Sequence, residues 1–331
     1  MPAKICKASM ITIDFETFSE LDVKKVGAYK YAEHASTEVL CLRWNYPEDP
    51  DFVYLWTPGE DREELEDLFA CINNGEEVEA HNAGFEWVIW NGVCVSKYGF
   101  PELNVNNLYC SAAKAAAASM PRKLEDLAIA LNSPIQKDMD GHRVMLKLSK
   151  PRKPSKNNPA TRWTKDAVPG DFEKLYDYCG DDVLAEKAAS QMLPDLSKTE
   201  RRVWLLDQLI NTRGIYCDIE LCKIAVDFAK EFQDKLLKEL DAITNGYVKT
   251  AKQVVKFKDW LNLQGVSLPN LQADTVEEAL NDAEIKGDAR RALEIRRHLA
   301  KSSITKFEAM LRMASEDDGR IRGTLLYHGA G

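Results

Sequence analysis

At 331 residues the chain is about twice a common single-domain length, which points to two domains, each large enough to bury its own core. With 45% hydrophobic and 29% charged residues its balance is that of a globular protein, which excludes a disordered chain. The formal net charge of −9 excludes a protein that coats nucleic acid by bulk basicity, although a local basic patch still acts within about a Debye length. No stretch approaches the roughly 18 apolar residues of a membrane helix, and Met1 to Asp14 lacks the apolar block and cleavage site of an export signal. Eight dispersed cysteines without a CxxC pair suggest neither a zinc ribbon nor a disulfide framework. A reducing cytoplasm and no membrane partner are expected.

In chain order, β-like runs alternate with helical ones up to about Leu193. Met10 to Ile13 leads into Asp14; Glu38 to Trp44, Phe52 to Trp56 and Glu77 to His81 follow as further strands. Helical patterns cover Asp61 to Asn73, Phe85 to Tyr98, Lys123 to Leu131 and Asp171 to Met192. This order predicts an α/β domain, a mixed sheet flanked by helices, over residues 1–196. From 197 to 331 the chain reads as mainly helical. Ser197 and Glu200 have capping-box spacing and open a helix that stops near Gly214. Asp218 caps a long pattern with Ile224, Phe228, Phe232 and Leu236 on one stripe. Asp274 with Glu277 repeats the capping spacing, Asp288 to Met313 reads as one long helix, and Arg320 to Tyr327 as β-like. The ending at Gly331, without a polar tail, reads as a cut through a larger fold.

The chemistry concentrates in three acidic pieces. In Ile11-Thr12-Ile13-Asp14-Phe15-Glu16-Thr17 a strand directs Asp14 and Glu16 to one face between apolar neighbours. Two such carboxylates at about 4 Å repel by roughly 4 kcal/mol at an effective dielectric near 20, which protonation, a basic partner or a cation must offset. Taken alone, surface carboxylates on an edge strand give the same pattern. In Ala80-His81-Asn82-Ala83-Gly84-Phe85-Glu86 an amide and a carboxylate stand four apart where a strand passes into a helix, which a capping Asn with an acidic first turn also explains. In Tyr178-Cys179-Gly180-Asp181-Asp182, Tyr178 and Asp182 share a helix face. The bland alternative there is an exposed acid beside a packed Tyr.

Together and in this order the motifs resemble the DEDD superfamily of 3′–5′ exonucleases in its DEDDy branch, with DxE, Nx(2–3)[FY]D and YxxxD. More closely the chain is similar to the proofreading domain of family A DNA polymerases, the bacterial DNA polymerase I group, in the version carried by phages and prophages. The resemblance implies an RNase H-like (DnaQ-like) exonuclease fold followed by a thumb-like helical module. Asp14 and Glu16 match the first motif, Asn82, Phe85 and Glu86 the second, Tyr178 and Asp182 the third. Glu86 departs from the family's usual Asp. The implied cofactors are two Mg²⁺ ions, with Mn²⁺ an alternative: Asp14 bridges both, Glu16 and Asp182 complete the nucleophile-side ion, Glu86 supports the other, and Tyr178 positions the attacking water. Phe15, Thr17, Asn82 and Phe85 would border the nucleic acid. Two hard cations held by oxygen ligands stabilise both attack and departure in phosphodiester hydrolysis.

Between the second and third motifs, residues 143 to 165 hold eight basic side chains, Arg143, Lys147, Lys150, Arg152, Lys153, Lys156, Arg162 and Lys165, and no acid. Pro151, Pro154 and Pro159 predict an irregular segment. A solvated loop accounts for the composition; its place between the motifs suggests a backbone-contacting loop at the cleft, with Trp163 available to stack on a base. Arg290, Arg291, Arg296, Arg297 and Lys301 lie on one helical run, either an ordinary surface helix or, by the resemblance, part of a DNA-binding thumb in which Arg297 and Lys301 contact the nucleic acid. Leu325 to Ala330 resembles the approach to the first polymerase signature, so palm and fingers are expected elsewhere, on the same gene or a separate chain, and no nucleotide incorporation from these residues. The expected partner is DNA, as a single-stranded 3′ end or primer terminus. A DEDDy ribonuclease of the RNase D type and a non-catalytic nucleic-acid-binding scaffold remain as alternatives.

Overall fold

Ile11, Ile13 and Phe15 are almost completely buried, and so are Thr12 and Glu16 on the other face, so the first strand is covered on both faces and occupies the middle of a sheet. A computed structural model describes residues 10–50, 52–60, 63–133, 139–156, 159–300 and 303–329. The strands are β1 (Ile11–Phe18), β2 (Glu38–Asn45), β3 (Tyr54–Trp56), β4 (Val78–Ala80) and β5 (Leu108–Cys110), in the order β3-β2-β1-β4-β5. β2 runs antiparallel to β1 and β3 antiparallel to β2, while β4 and β5 run parallel to β1. The parallel pairing of β1 with β4 covers only Ile11 and Thr12, so β1 continues beyond its partner, and a register shift falls between Glu16 and Thr17.

Helices α1 (Val23–Glu33), α2 (Glu63–Asn73), α3 (Gly84–Ile89) and α4 (Val95–Tyr98) lie between the strands, α3 and α4 being joined by a π-helical turn over Trp90–Cys94. Then come α5 (Ser111–Ala117), α6 (Leu124–Ala130), α7 (Met139–Leu148), α8 (Pro169–Met192) and α9 (Lys198–Arg213). The core on one face of the sheet gathers Ile13, Phe15, Leu42, Trp44, Trp90 and Trp204. The opposite face meets α7 and α8 through Cys41, Leu148, Leu175 and Cys179, and α8 extends this packing to α5 and α6 through Ala185 and Ala189.

The chain then forms β6 (Ile215–Tyr216), α10 (Ile219–Ile243), α11 (Val254–Leu263), α12 (Ala273–Asn281), α13 (Gly287–Leu299), α14 (Ser303–Met313) and β7 (Arg320–Ile321), which pairs with β6. Two units result, one running to Tyr216 and resuming at Ser315, the other spanning Cys217–Ala314. The division expected at residue 197 therefore falls inside the first unit. Ser197 does cap α9, accepting from the Glu200 amide at 3.1 Å, but a cap marks a helix start and not a domain edge, and Trp204 on that helix is buried in the first core. Gly214 ends α9 with φ +69, and a Cβ there would stand 2.8 Å from the Ile321 carbonyl oxygen, so the β6–β7 approach needs glycine.

The helical unit has its own core of Leu236, Leu240, Phe257, Trp260, Leu280 and Leu293. Asp218 caps α10, accepting from the Leu221 amide at 2.9 Å. Three expectations are corrected here. The residues from Asp288 to Met313 form two helices, α13 and α14. Gln272 is the N-cap of α12, so Asp274 lies in its first turn, where it faces the helix dipole. Of the stripe on α10 only Leu236 is buried; Ile224, Phe228 and Phe232 are exposed, and Cys222 and Val226 turn inward instead, because four-residue spacing drifts around a 3.6-residue helix. In the first unit the irregular segment expected from Arg143 begins only after α7 ends at Leu148, so Arg143 and Lys147 are helical.

Candidate active site

Asp14 lies on β1 just past its pairing with β4, and the carboxyl ends of β4 and β5 lead to His81 and Asn82 and to Ser111, the kind of strand-end crevice where α/β sheets place ligands. Helix α8 packs across β1 and β2 and brings Tyr178, Asp182 and Glu186, spaced by four, to that end. Ligand atoms of Asp14, Glu16 and Asp182 all lie within 4.8 Å of one another. Residues 168 positions apart in sequence thus share one site. A cavity of about 420 Å³ opens there, lined by Asp14, His81, Asn82, Arg122, Lys123, Asp182 and Glu186 among others. Asp181, the acid adjoining Asp182 in the third motif, is exposed.

Asp14 is held by the buried Cys179 thiol, which donates to Oδ2 at 3.1 Å. Burial, then Cys41 and Asp14, holds that thiol well above its ordinary range, so it stays a donor. Glu86 on α3 is 4% exposed, and its Oε2 has no hydrogen-bond partner among the described residues. Burial, reinforced by the Asp14 carboxylate, raises Glu86 well above the usual carboxylate range. Tyr178 is 1% exposed; burial first, then the Asp182 and Glu16 carboxylates, hold its phenol far above the ordinary value, so it presents an O–H and not a phenolate.

Three clustered carboxylate oxygens and a fourth buried, unpartnered one suit a hard divalent cation, which would balance charges that burial penalises. The shift of Glu86 carries a sign. A carboxyl whose folded pKa is raised stabilises the fold fully below its unfolded value of about 4.5, and that contribution is lost as pH rises through the folded pKa. Glu86→Gln should therefore stabilise the metal-free protein at neutral pH by on the order of 1 kcal/mol and leave it unchanged near pH 4. Thermal melts in EDTA across pH 4 to 8 check this; a variant less stable than wild type at every pH would contradict it.

The other expected site residues divide between the core, the cavity and the surface. Phe15 packs edge-on against Trp90 in the core, and Thr17 Oγ1 bonds the Tyr31 hydroxyl at 2.9 Å, so both face the interior. Asn82, with φ 63, lines the main cavity and a second one of about 300 Å³, which also receives Phe85, Tyr29 and Trp204. The basic stretch is tied to the first unit: Lys147 pairs with Asp171, Arg162 with Glu38 at 2.6 Å and Lys165 with Glu60 at 2.7 Å. Arg152 and Lys147 sit 4.3 and 4.6 Å from the Trp163 ring centroid. Lys150, Lys153 and Lys156 are exposed, as is Arg143 beside Asp140. In the helical unit Arg297 pairs with Glu277, Arg291 with Glu239, and Arg296 reaches the Ala251 and Leu271 carbonyls. Lys301 lies outside the described residues.

Sequence reasoning passed over Arg122, Lys123, His81 and Glu186. The adjacent Arg122-Lys123 pair, the first after the second motif, was the available signal for the basic wall; Glu186 carried one only through its spacing of four from Asp182.

Among curated proteins, the chain is similar to the DNA polymerase of Bacillus phage SP02, with 30% identity over 323 residues that cover 97% of this chain and 48% of that protein. The similarity to this phage DNA polymerase runs along nearly the whole of the chain. It spans about half the length of the curated relative it matches. No protein-family model matches it. Among solved structures, the POL domain of Pol1 from M. smegmatis, in complex with DNA primer-template and dNTP, aligns with a TM-score of 0.49 and 12% identity, over 96% of this chain and 49% of that one. Among the described residues no helix is long and apolar enough to cross a membrane.

Proposed function

We propose that the first unit is an RNase H-like, metal-dependent 3′–5′ exonuclease of the proofreading type, belonging to a DNA polymerase whose palm and fingers lie outside this sequence. The observation that carries this reading is the convergence of Asp14, Glu16 and Asp182 within 4.8 Å, beside buried Glu86 and at one end of a cavity. The relationship to a phage DNA polymerase makes DNA the favoured substrate over RNA, and the cytoplasm of the phage's host the expected place of action. Bound Mg²⁺ would supply electrostatic stabilisation of the pentavalent phosphoryl group and an acidified water. Asp14, Glu16 and Asp182 would hold it, with Glu86 supporting. The Tyr178 hydroxyl would orient the attacking water, since it keeps its proton. Arg122 and Lys123, on the wall shared with Asp14 and Asp182, would receive the phosphate backbone, with exposed Lys150, Lys153 and Lys156 as further candidate contacts.

Incubation with end-labelled single-stranded DNA or RNA, in Mg²⁺ or EDTA, tests the assignment. Stepwise shortening of DNA from the 3′ end in Mg²⁺ alone is expected. Preference for RNA would favour the RNase D-type reading, and binding without cleavage the scaffold reading. Lys123 is largely exposed and lies 3.9 Å from Asp126. Lys123→Gln should lower the slope of log affinity against log salt by about 0.7, one phosphate contact on a single strand, measured by fluorescence anisotropy.

A further inference from the structure

Beside the carboxylates, the cavity wall carries a hydrogen-bonded chain that the hydrolytic assignment does not use. His81 follows β4, Ser111 follows the neighbouring β5, and Glu186 sits one turn beyond Asp182 on α8. Ser111 Oγ lies 2.8 Å from His81 Nδ1 and 3.1 Å from Glu186 Oε1, and His81 Nε2 lies 2.7 Å from the Arg122 carbonyl oxygen. A carbonyl only accepts, so Nε2 carries a hydrogen in every state. Ser111 is fully buried and Glu186 is 1% exposed, so this path is shielded from bulk water.

Two arrangements satisfy all three contacts with the same number of protons. In one, Glu186 is a carboxylic acid donating to Ser111 Oγ, whose hydroxyl donates to a neutral His81. In the other, His81 is an imidazolium donating from Nδ1 to Ser111 Oγ, whose hydroxyl donates to a Glu186 carboxylate. They interconvert when the Glu186 O–H bond breaks, Ser111 Oγ takes that proton, and Ser111 passes its own hydrogen to Nδ1.

We propose that His81, Ser111 and Glu186 form a proton relay that moves one charge between the two ends of the cavity wall according to whether the carboxylate site holds a divalent cation. The proposal rests on the reading of Asp14, Glu16 and Asp182 as a cation site. The groups facing the relay decide its direction: Asp14 from β1, Glu79 from β4, Glu86 from α3, Asp182 from α8 itself, Lys114 from α5, and Arg122 and Lys123 ahead of α6. Without a cation, burial and the carboxylates of Glu79, Glu86 and Asp14 keep the proton on Glu186. A cation at the acidic end favours the Glu186 carboxylate and sends the proton to His81. The bond from Nε2 to the Arg122 carbonyl then becomes charge-assisted, which fixes the Arg122 and Lys123 wall when the site is loaded.

Nitrogen-15 NMR of the histidine rings in the full chain tests this without DNA or turnover. Adding Mg²⁺ at pH 7 should convert His81 from a singly to a doubly protonated ring, and Ser111→Ala and Glu186→Gln should each abolish that conversion. An unchanged His81 while calorimetry records bound Mg²⁺, or an equal response in both variants, overturns the relay and leaves the cation site standing. Where calorimetry finds no Mg²⁺ bound, the cation reading fails by itself and pH titration decides the relay. A His81 midpoint displaced by a unit or more in Ser111→Ala supports it, and the same midpoint in wild type and both variants overturns it.

Discussion

Asp14→Ala is expected to abolish Mg²⁺-dependent nucleotide release, by about a thousandfold or more, while binding of single-stranded DNA persists. The magnitude follows from the position: losing a carboxylate that helps hold cations removes several kcal/mol of charge stabilisation from the reacting phosphate, and each 1.4 kcal/mol or so is tenfold in rate. Its cost to the fold should be small. Asp14 loses the Cys179 thiol bond, but its removal also relieves the repulsion it exerts on buried Glu86 and Glu186. In EDTA the melting temperature of Asp14→Ala should therefore match or exceed that of wild type, whereas in Mg²⁺ wild type should gain stability and the variant should not. Release within tenfold of wild type would remove Asp14 from the site. A large loss of stability in EDTA would make the carboxylate structural instead.

The sequence made parts of this arrangement legible and hid others for physical reasons. Asp14 and Glu16 were readable because in β1 they alternate with the apolar Ile13 and Phe15, and Tyr178 with Asp182 because a helix brings residues four apart to one face. Strand β4 was read within Glu77 to His81, but the three residues of β5 carry too little periodicity to announce themselves and went unseen; its partner Val78 and the register from β1 define it. Helix α1 was also missed, since Gly27 at its centre, with φ 79, breaks the helical geometry and the pattern with it. The basic stretch looked like free charge because composition does not reveal partners. Glu38, Glu60 and Asp171, distant in sequence, take up Arg162, Lys165 and Lys147. The cavity's cations come instead from Arg122 and Lys123, inconspicuous beside that stretch.

Lys114 is the residue whose loss should damage the first unit most. It lies on α5, one turn past Ser111, with only 3% of its side chain exposed, and pairs with Glu79 at 2.6 Å, Asp195 at 3.0 Å and the Ser190 hydroxyl at 2.9 Å. Burial alone would push the ammonium toward its neutral form, yet Glu79 and Asp195 more than reverse this and raise its pKa, so Lys114 stays an ammonium. Glu79 occupies the β4 strand opposite Thr12, in the middle of the sheet, and is 4% exposed. Lys114→Met leaves that carboxylate buried without its cation, which costs about 3–5 kcal/mol by the behaviour of half-broken buried pairs. Combining it with Glu79→Gln should recover much of the loss, because the residual penalty is the stranded charge and not the lost contact. Since Glu79 is the strongest of the charges that raise Glu186, the single variant should also hold the Glu186 proton more firmly and weaken Mg²⁺ binding, and the double variant should restore it. Urea denaturation of the three proteins, with calorimetric Mg²⁺ titration of each, checks both effects. A single variant within 1 kcal/mol of wild type, or a double variant no better than the single, would show that Glu79 does not depend on Lys114 for its charge.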